Sequence, residues 1–107
     1  MVQHEFSWGQ MVWIEGQDPD LGFSFARMTL NGQSQSDLHY HRNCREMIFI
    51  ETGHIILKAG NAEFQLQTGD KWVIEPDVHH RLCNVGDGKA VVSIVYSSHN
   101  RDYYQVA

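Results

Sequence analysis

In the segment Gly32-Gln33-Ser34-Gln35-Ser36-Asp37-Leu38-His39-Tyr40-His41-Arg42-Asn43-Cys44-Arg45-Glu46-Met47-Ile48-Phe49-Ile50-Glu51-Thr52-Gly53, two histidines stand one residue apart and a glutamate follows them. On a strand, residues two apart point to the same side. His39 and His41 can therefore face one point while Tyr40 faces away. The four residues between His41 and Glu46 leave room for a bend and a return along the next strand. By the same two-residue period, an inward Glu46 takes Ile48 and Ile50 inward with it, as core beneath the site.

A third imidazole must come from far along the chain, and His80 is the candidate, on a strand of its own. Three neutral imidazoles and one carboxylate suit a borderline divalent ion such as Mn, Fe, Co, Ni, Cu or Zn. Four protein ligands leave positions open in an octahedral shell, where water, substrate or dioxygen binds. Without an ion, the same four side chains in an apolar interior would carry a heavy desolvation cost.

Outward from this segment the chain reads as strand after strand. Met11–Glu15, Phe23–Leu30, Glu46–Glu51, His54–Ala59, Glu63–Gln67, Lys71–Ile74 and Ala90–Tyr96 are short and rich in Val, Ile, Phe and Trp. Asn31-Gly32, Gly60-Asn61 and Asp87-Gly88 are turn dipeptides, and Gly60-Asn61 sits where a tight hairpin requires it. Asp18-Pro19-Asp20 and Thr68-Gly69-Asp70 mark further corners. No segment sustains a 3.6-residue apolar period, so no substantial helix is expected. Strands at this spacing predict an all-β sandwich or barrel. The tail from Ser97 to Ala107, with Tyr103 and Tyr104, reads as a surface coil or as an arm on a neighbouring chain.

The spacing resembles the cupin family in two places. Residues 32–53 resemble its first motif: a glycine, His-X-His, four residues, Glu46, six residues and Gly53. The leading Gly32 departs from the pattern, with six residues rather than five before His39. Residues 69–84 resemble the second motif, from Gly69 through His80 to Asn84. Here Glu75 stands in the proline position and Asp77 in the glycine position. The altered turn Glu75-Pro76-Asp77 must deliver His80, and Asp tolerates left-handed backbone better than most residues.

The resemblance implies a double-stranded β-helix, a jelly-roll-like barrel of cupin type, as one domain over residues 1–107. It implies His39, His41, Glu46 and His80 as ligands of one divalent transition metal. The function expected is a metal-dependent enzyme acting on a small oxygenated molecule, of dioxygenase, isomerase or cyclase type. Glu46 is then the candidate catalytic base. The alternative is a non-catalytic, metal-containing binding or sensor module.

Composition narrows the partners. With 8 Lys and Arg against 13 Asp and Glu, the net charge of −5 argues against nucleic acid, which needs a basic face. No apolar run approaches the length of a membrane span. Two cysteines, Cys44 and Cys83, are expected to stay reduced in a cytoplasmic protein. A small-molecule ligand and a homodimer are the expected partners.

Several other side chains carry a secondary expectation. Arg27 interrupts an apolar strand and is read as an edge residue with its head in solvent. Cys44 is read as an inert loop thiol. Trp72 and Tyr96 are read as packing with an option on the barrel mouth. His79 should face away from His80, His54 belongs to a hairpin, and His4 and His99 have no positional argument.

Overall fold

The computed structural model describes residues 1–16 and 18–107. Eleven strands follow in order: β1 (Val2–Phe6), β2 (Gly9–Glu15), β3 (Ser24–Leu30), β4 (His39–Tyr40), β5 (Glu46–Thr52), β6 (His54–Ala59), β7 (Ala62–Gln67), β8 (Lys71–Ile74), β9 (His80–Asn84), β10 (Ala90–Tyr96) and β11 (Tyr104–Gln105). One sheet runs β1-β2-β3-β10-β5-β8 and the other β11-β4-β9-β6-β7, with every pairing antiparallel. This is the double-stranded β-helix that the cupin resemblance implies. No described residue is helical.

Alternation builds the barrel wall. Along β5, Glu46, Ile48 and Ile50 are buried while Met47 and Phe49 face out. Along β10, Ala90, Val92, Ile94 and Tyr96 turn inward. Ile48, Ile50, Ile55, Leu57, Val92 and Ile94 are fully enclosed. Burial of each such side chain contributes roughly 1.5–3 kcal/mol. These side chains fill the interior beneath the site.

Gly60-Asn61 closes the β6–β7 hairpin, with Ala59 opposite Ala62. Two motif glycines are held by close approach. A Cβ on Gly32 would stand 2.0 Å from the Asp87 carbonyl oxygen. Gly53 has φ of 116°, and a Cβ there would lie 2.8 Å from that of Ala90. At the far end Asn84, buried, donates to the carbonyls of Leu30, Asn31 and Gly88 and accepts from Gly86 N–H. The residue that closes the second motif therefore staples the closed end of the barrel.

The altered turn before His80 survives. Asp77 occupies the left-handed region at φ of 69°, and its N–H donates to the His41 carbonyl at 2.8 Å. Glu75 forms a bidentate pair with Arg45 at 2.9–3.2 Å, and Asp77 stands 3.8 Å from Arg42. The two residues that depart from the family pattern thus pair with the two arginines that flank Cys44. Both pairs are exposed, so they fix register more than they add stability.

The tail does not remain coil. It returns to its own barrel, where Tyr104 pairs with Tyr40 and Gln105 with His39. β1, also absent from the expected strands, pairs along its whole length with β2.

Backbone strain at the delivering turn gives a direct test. Asp77→Ala should lower stability by about 1 kcal/mol, and Asp77→Gly should leave it unchanged or raise it. Gly53→Ala should cost about 2 kcal/mol, because strain and a clash combine there. Denaturant unfolding reads all three, and equal stability of Asp77→Ala and Asp77→Gly would contradict the assignment.

Candidate metal centre

β4, β5 and β9 begin at the same end of the barrel, and their first residues meet. His39 opens β4 and stands opposite His80, which opens β9. His41 follows β4 directly, and Glu46 opens β5 on the other sheet. One ligand atom from each of these four side chains lies within 4.8 Å of the others, and all four residues are buried. His39 and His80 rings lie 4.3 Å apart by centroid, and His39 and His41 5.0 Å.

Backbone carbonyls orient the three rings. His39 Nδ1 lies 2.7 Å from Asp37 O, His41 Nδ1 2.6 Å from Asp102 O, and His80 Nδ1 2.9 Å from Val78 O. A carbonyl only accepts, so each Nδ1 must donate. In the neutral ring Nε2 then carries the lone pair, and the rings present those lone pairs to the Glu46 carboxylate. His80 Nε2 is 3.1 Å and His41 Nε2 3.2 Å from Glu46 Oε1. The His41 contact lacks hydrogen-bond alignment, and that buried Nε2 has no hydrogen-bond partner. Acceptors converging on a carboxylate need either protons or a cation between them. The donor set of three imidazoles and a carboxylate fits a divalent ion, and the tied Nδ1 atoms supply the outer shell such ligands need.

Charge in the metal-free site follows the same geometry. Burial pushes the Glu46 carboxyl up, but His41 and His80 against Oε1 outweigh it and hold it well below the usual carboxylate range. Burial works against a charged His80, yet the Glu46 contact prevails and raises its pKa. Burial and the neighbouring His80 bring His39 down to about 4.

Of the other side chains singled out in the sequence, the barrel mouth takes Tyr96. It is buried and meets the His41 ring edge-on at 5.3 Å. Ile48 and Ile50 are core. Arg27 is exposed and donates to Glu51 at 3.0 Å, well outside the site. Trp72 stacks on Phe64 on the outside. His79 is exposed and stacks on Tyr40. Cys44 is buried, and burial, then the nearby Glu46, pushes its thiol up to about 11, consistent with an inert thiol.

The residues that sequence reading missed come from the tail. Tyr103 stacks on His39 at 4.8 Å, and Asp102 supplies the carbonyl for His41. The Asp102 carboxylate accepts from the Arg42 and Asn43 N–H groups. Beside His39 lies a cavity of about 380 Å³ walled by Phe6, Trp8, Met11, Trp13, Met28 and Tyr96. The one signal for this in the sequence was the pair of tyrosines in an otherwise polar tail.

Two antiparallel sheets with a buried His₃Glu cluster at one end define a single-site β fold able to hold one metal ion. The family pattern described as "Cupin domain" matches residues 26–96, and the chain belongs to the cupin family. No curated protein sequence matches the chain. Among solved structures, the chain is similar to a Lactobacillus farciminis oxalate decarboxylase in complex with formate, with TM-score 0.86 and 22% identity over 98% of this chain and 33% of that one. It is also similar to Peruvianin-I, described as a cysteine peptidase from Thevetia peruviana latex, with TM-score 0.86 and 22% identity over 97% and 71%. An oxalate oxidase matches at TM-score 0.81 and 19% identity over 94% and 57%. The chain spans about a third of the decarboxylase and just over half of the oxidase. At these identities the likeness is one of fold, and that fold carries different chemistries.

Metal must displace the proton that the elevated His80 pKa retains. Zinc added to metal-free protein near neutral pH should therefore release protons, counted by calorimetry in buffers of different ionisation enthalpy. Affinity should climb as pH rises through the His80 range and level off above it. His39, neutral above about 4, adds no slope there. Binding without proton release would contradict a protonated His80 in the metal-free site.

Proposed function

We propose that the protein is a metal-dependent enzyme acting on a small oxygenated organic molecule, with His39, His41, Glu46 and His80 as the metal ligands. The observation that carries this reading is the convergence of four buried ligand atoms within 4.8 Å beside an apolar cavity. A divalent ion held there supplies Lewis acidity toward substrate oxygens. The chain supplies the rest. Phe6, Trp8, Met11 and Trp13 exclude water from one side of the ligand. Tyr103 and Tyr96 fix the His39 and His41 rings. Glu46 is the one anionic ligand, and in this reading it takes and returns the substrate proton as general base. Iron or copper would favour dioxygenation, and manganese, nickel or zinc isomerisation or cyclisation.

Among the described residues no helix is long and apolar enough to cross a membrane. Both cysteines are buried and free, which supports a reducing compartment and the cytoplasm as location.

A homodimer is supported by the outer face of the six-stranded sheet. Phe25, Val95, Met47 and Val73 stand side by side across four strands, and Phe49 lies next to that row. Met47, Phe49 and Val73 are about 40% exposed, an apolar row of the kind that marks an interface. Sedimentation of the full chain at micromolar concentration should give a dimer, and Val73→Glu a monomer. A monomeric wild type would remove this face from consideration.

Elemental analysis of protein purified without added metal, paired with oxygen uptake and product analysis on flavonols, catechols and hydroxyketones, tests the main reading. One divalent ion per chain is expected, with turnover lost on chelation and restored on readdition. Glu46→Gln should lower kcat roughly 10²-fold or more. Protein that retains no divalent ion would end the enzyme reading. An ion without turnover across the panel would favour the binding or sensor module.

A further inference from the structure

Arg101 stands in the wall of the cavity that contains His39. Its guanidinium lies over three aromatic rings, 5.0 Å from Trp13, 5.2 Å from Tyr96 and 5.1 Å from Tyr103 by centroid. This cage fixes the plane of the guanidinium and holds its charge by attraction to the ring faces. Its Nε is buried and has no hydrogen-bond partner. Among the described residues, no carboxylate forms an ion pair with it. The residue as a whole is half-buried, so the guanidinium is a partly desolvated cation with no acidic partner.

The two residues that follow Arg101 in the chain tie it to the candidate metal site. Asp102 O receives the His41 Nδ1–H, and Tyr103 stacks on His39. Asn43 and Asp102 hold the same segment through reciprocal hydrogen bonds. The position of Arg101 is thus set by the groups that orient two of the ligand rings.

We propose that Arg101 is the anion-recognition residue of this cavity and that the ligand is a small monocarboxylate with an aromatic or branched apolar body. A carboxylate entering the cavity meets the two Nη groups at the end of the guanidinium as a parallel fork, the geometry that carboxylates fit best. The body of the ligand then lies against Phe6, Trp8, Met11 and Met28. A cavity of about 380 Å³ accommodates a single-ring acid. The acidic side chain on this cavity, Asp37, is exposed at the rim. A second cavity on the N-terminal side also touches Arg101, but it is lined by the half-buried Glu15, which would repel an anion.

This inference deepens the metal-enzyme reading and rests on it only for what happens to the ligand after it is seated. Benzoate, with the isosteric neutral benzamide as control, is the probe. Both are titrated into metal-loaded and metal-free protein and followed by the fluorescence of Trp8 and Trp13. Wild type should bind benzoate at least about tenfold more tightly than benzamide, and Arg101→Met should abolish that preference while metal content stays unchanged. A merely structural role for Arg101 would weaken both probes equally and leave their ratio intact, which overturns the proposal. So does a wild type that binds benzoate no better than benzamide. Should Arg101→Met fail to fold, Arg101→Lys decides. It keeps the charge but lacks the fork, and its preference should drop several-fold, with an undiminished preference overturning the proposal. Failure of the metal reading shows separately, as protein that retains no ion yet still selects benzoate through Arg101.

Discussion

Three imidazoles present their Nε2 atoms to one carboxylate because their Nδ1 atoms are already committed to backbone carbonyls. That commitment is the constraint on which the rest of the site depends. Asp37 and Val78 each offer a carbonyl two residues before the ring it orients, and Asp102 offers one from the tail. Each carbonyl chooses a tautomer, and the tautomers together create an acceptor-rich centre that protons or a cation must fill. Metal-free, the centre is held by a His80 with raised pKa against a depressed Glu46. With a divalent ion, the same geometry needs no such protonation.

The barrel exists to deliver those carbonyls and rings to one point. Ile48 and Ile50 anchor β5 so that Glu46 emerges facing inward, and Val92 and Ile94 do the same for Tyr96 on β10. The turn at Asp77 delivers His80, and its N–H ties that turn back to the His41 carbonyl. The C-terminal segment then closes the site from outside the two motifs. It supplies a carbonyl to His41, a ring to His39 and a caged cation to the cavity wall. Metal centre and cavity are therefore parts of one construction, assembled from both sheets and the tail.

Much of this was legible in the chain. Short runs rich in strand formers gave Glu46–Glu51 and Ala90–Tyr96, the two-residue period put Ile48 and Ile50 inside with Glu46, and motif spacing gathered the four residues that the fold brings together. Arg27 also stands as read, with its head in solvent, and the buried Cys44 is consistent with the inert thiol expected. The limits have physical causes. β1 is exposed along its length, so its side chains carry no alternation to detect. β4 and β11 are two residues each, too short for any periodicity. The tail looked like coil because its polar residues act through backbone carbonyls and ring stacking, and neither leaves a pattern in composition. Arg101 was invisible for the same reason: its cage is drawn from β2, β10 and the tail, far apart in sequence.

The most direct test of the central claim is X-ray absorption spectroscopy of the protein loaded with one equivalent of zinc or cobalt. Three nitrogen ligands with imidazole multiple scattering and at least one oxygen, at about 2.0–2.2 Å, is the predicted shell. It should lose one imidazole each in His39→Gln, His41→Gln and His80→Gln. A shell made of water oxygens alone, or one containing sulfur from Cys44 or Cys83, would contradict it.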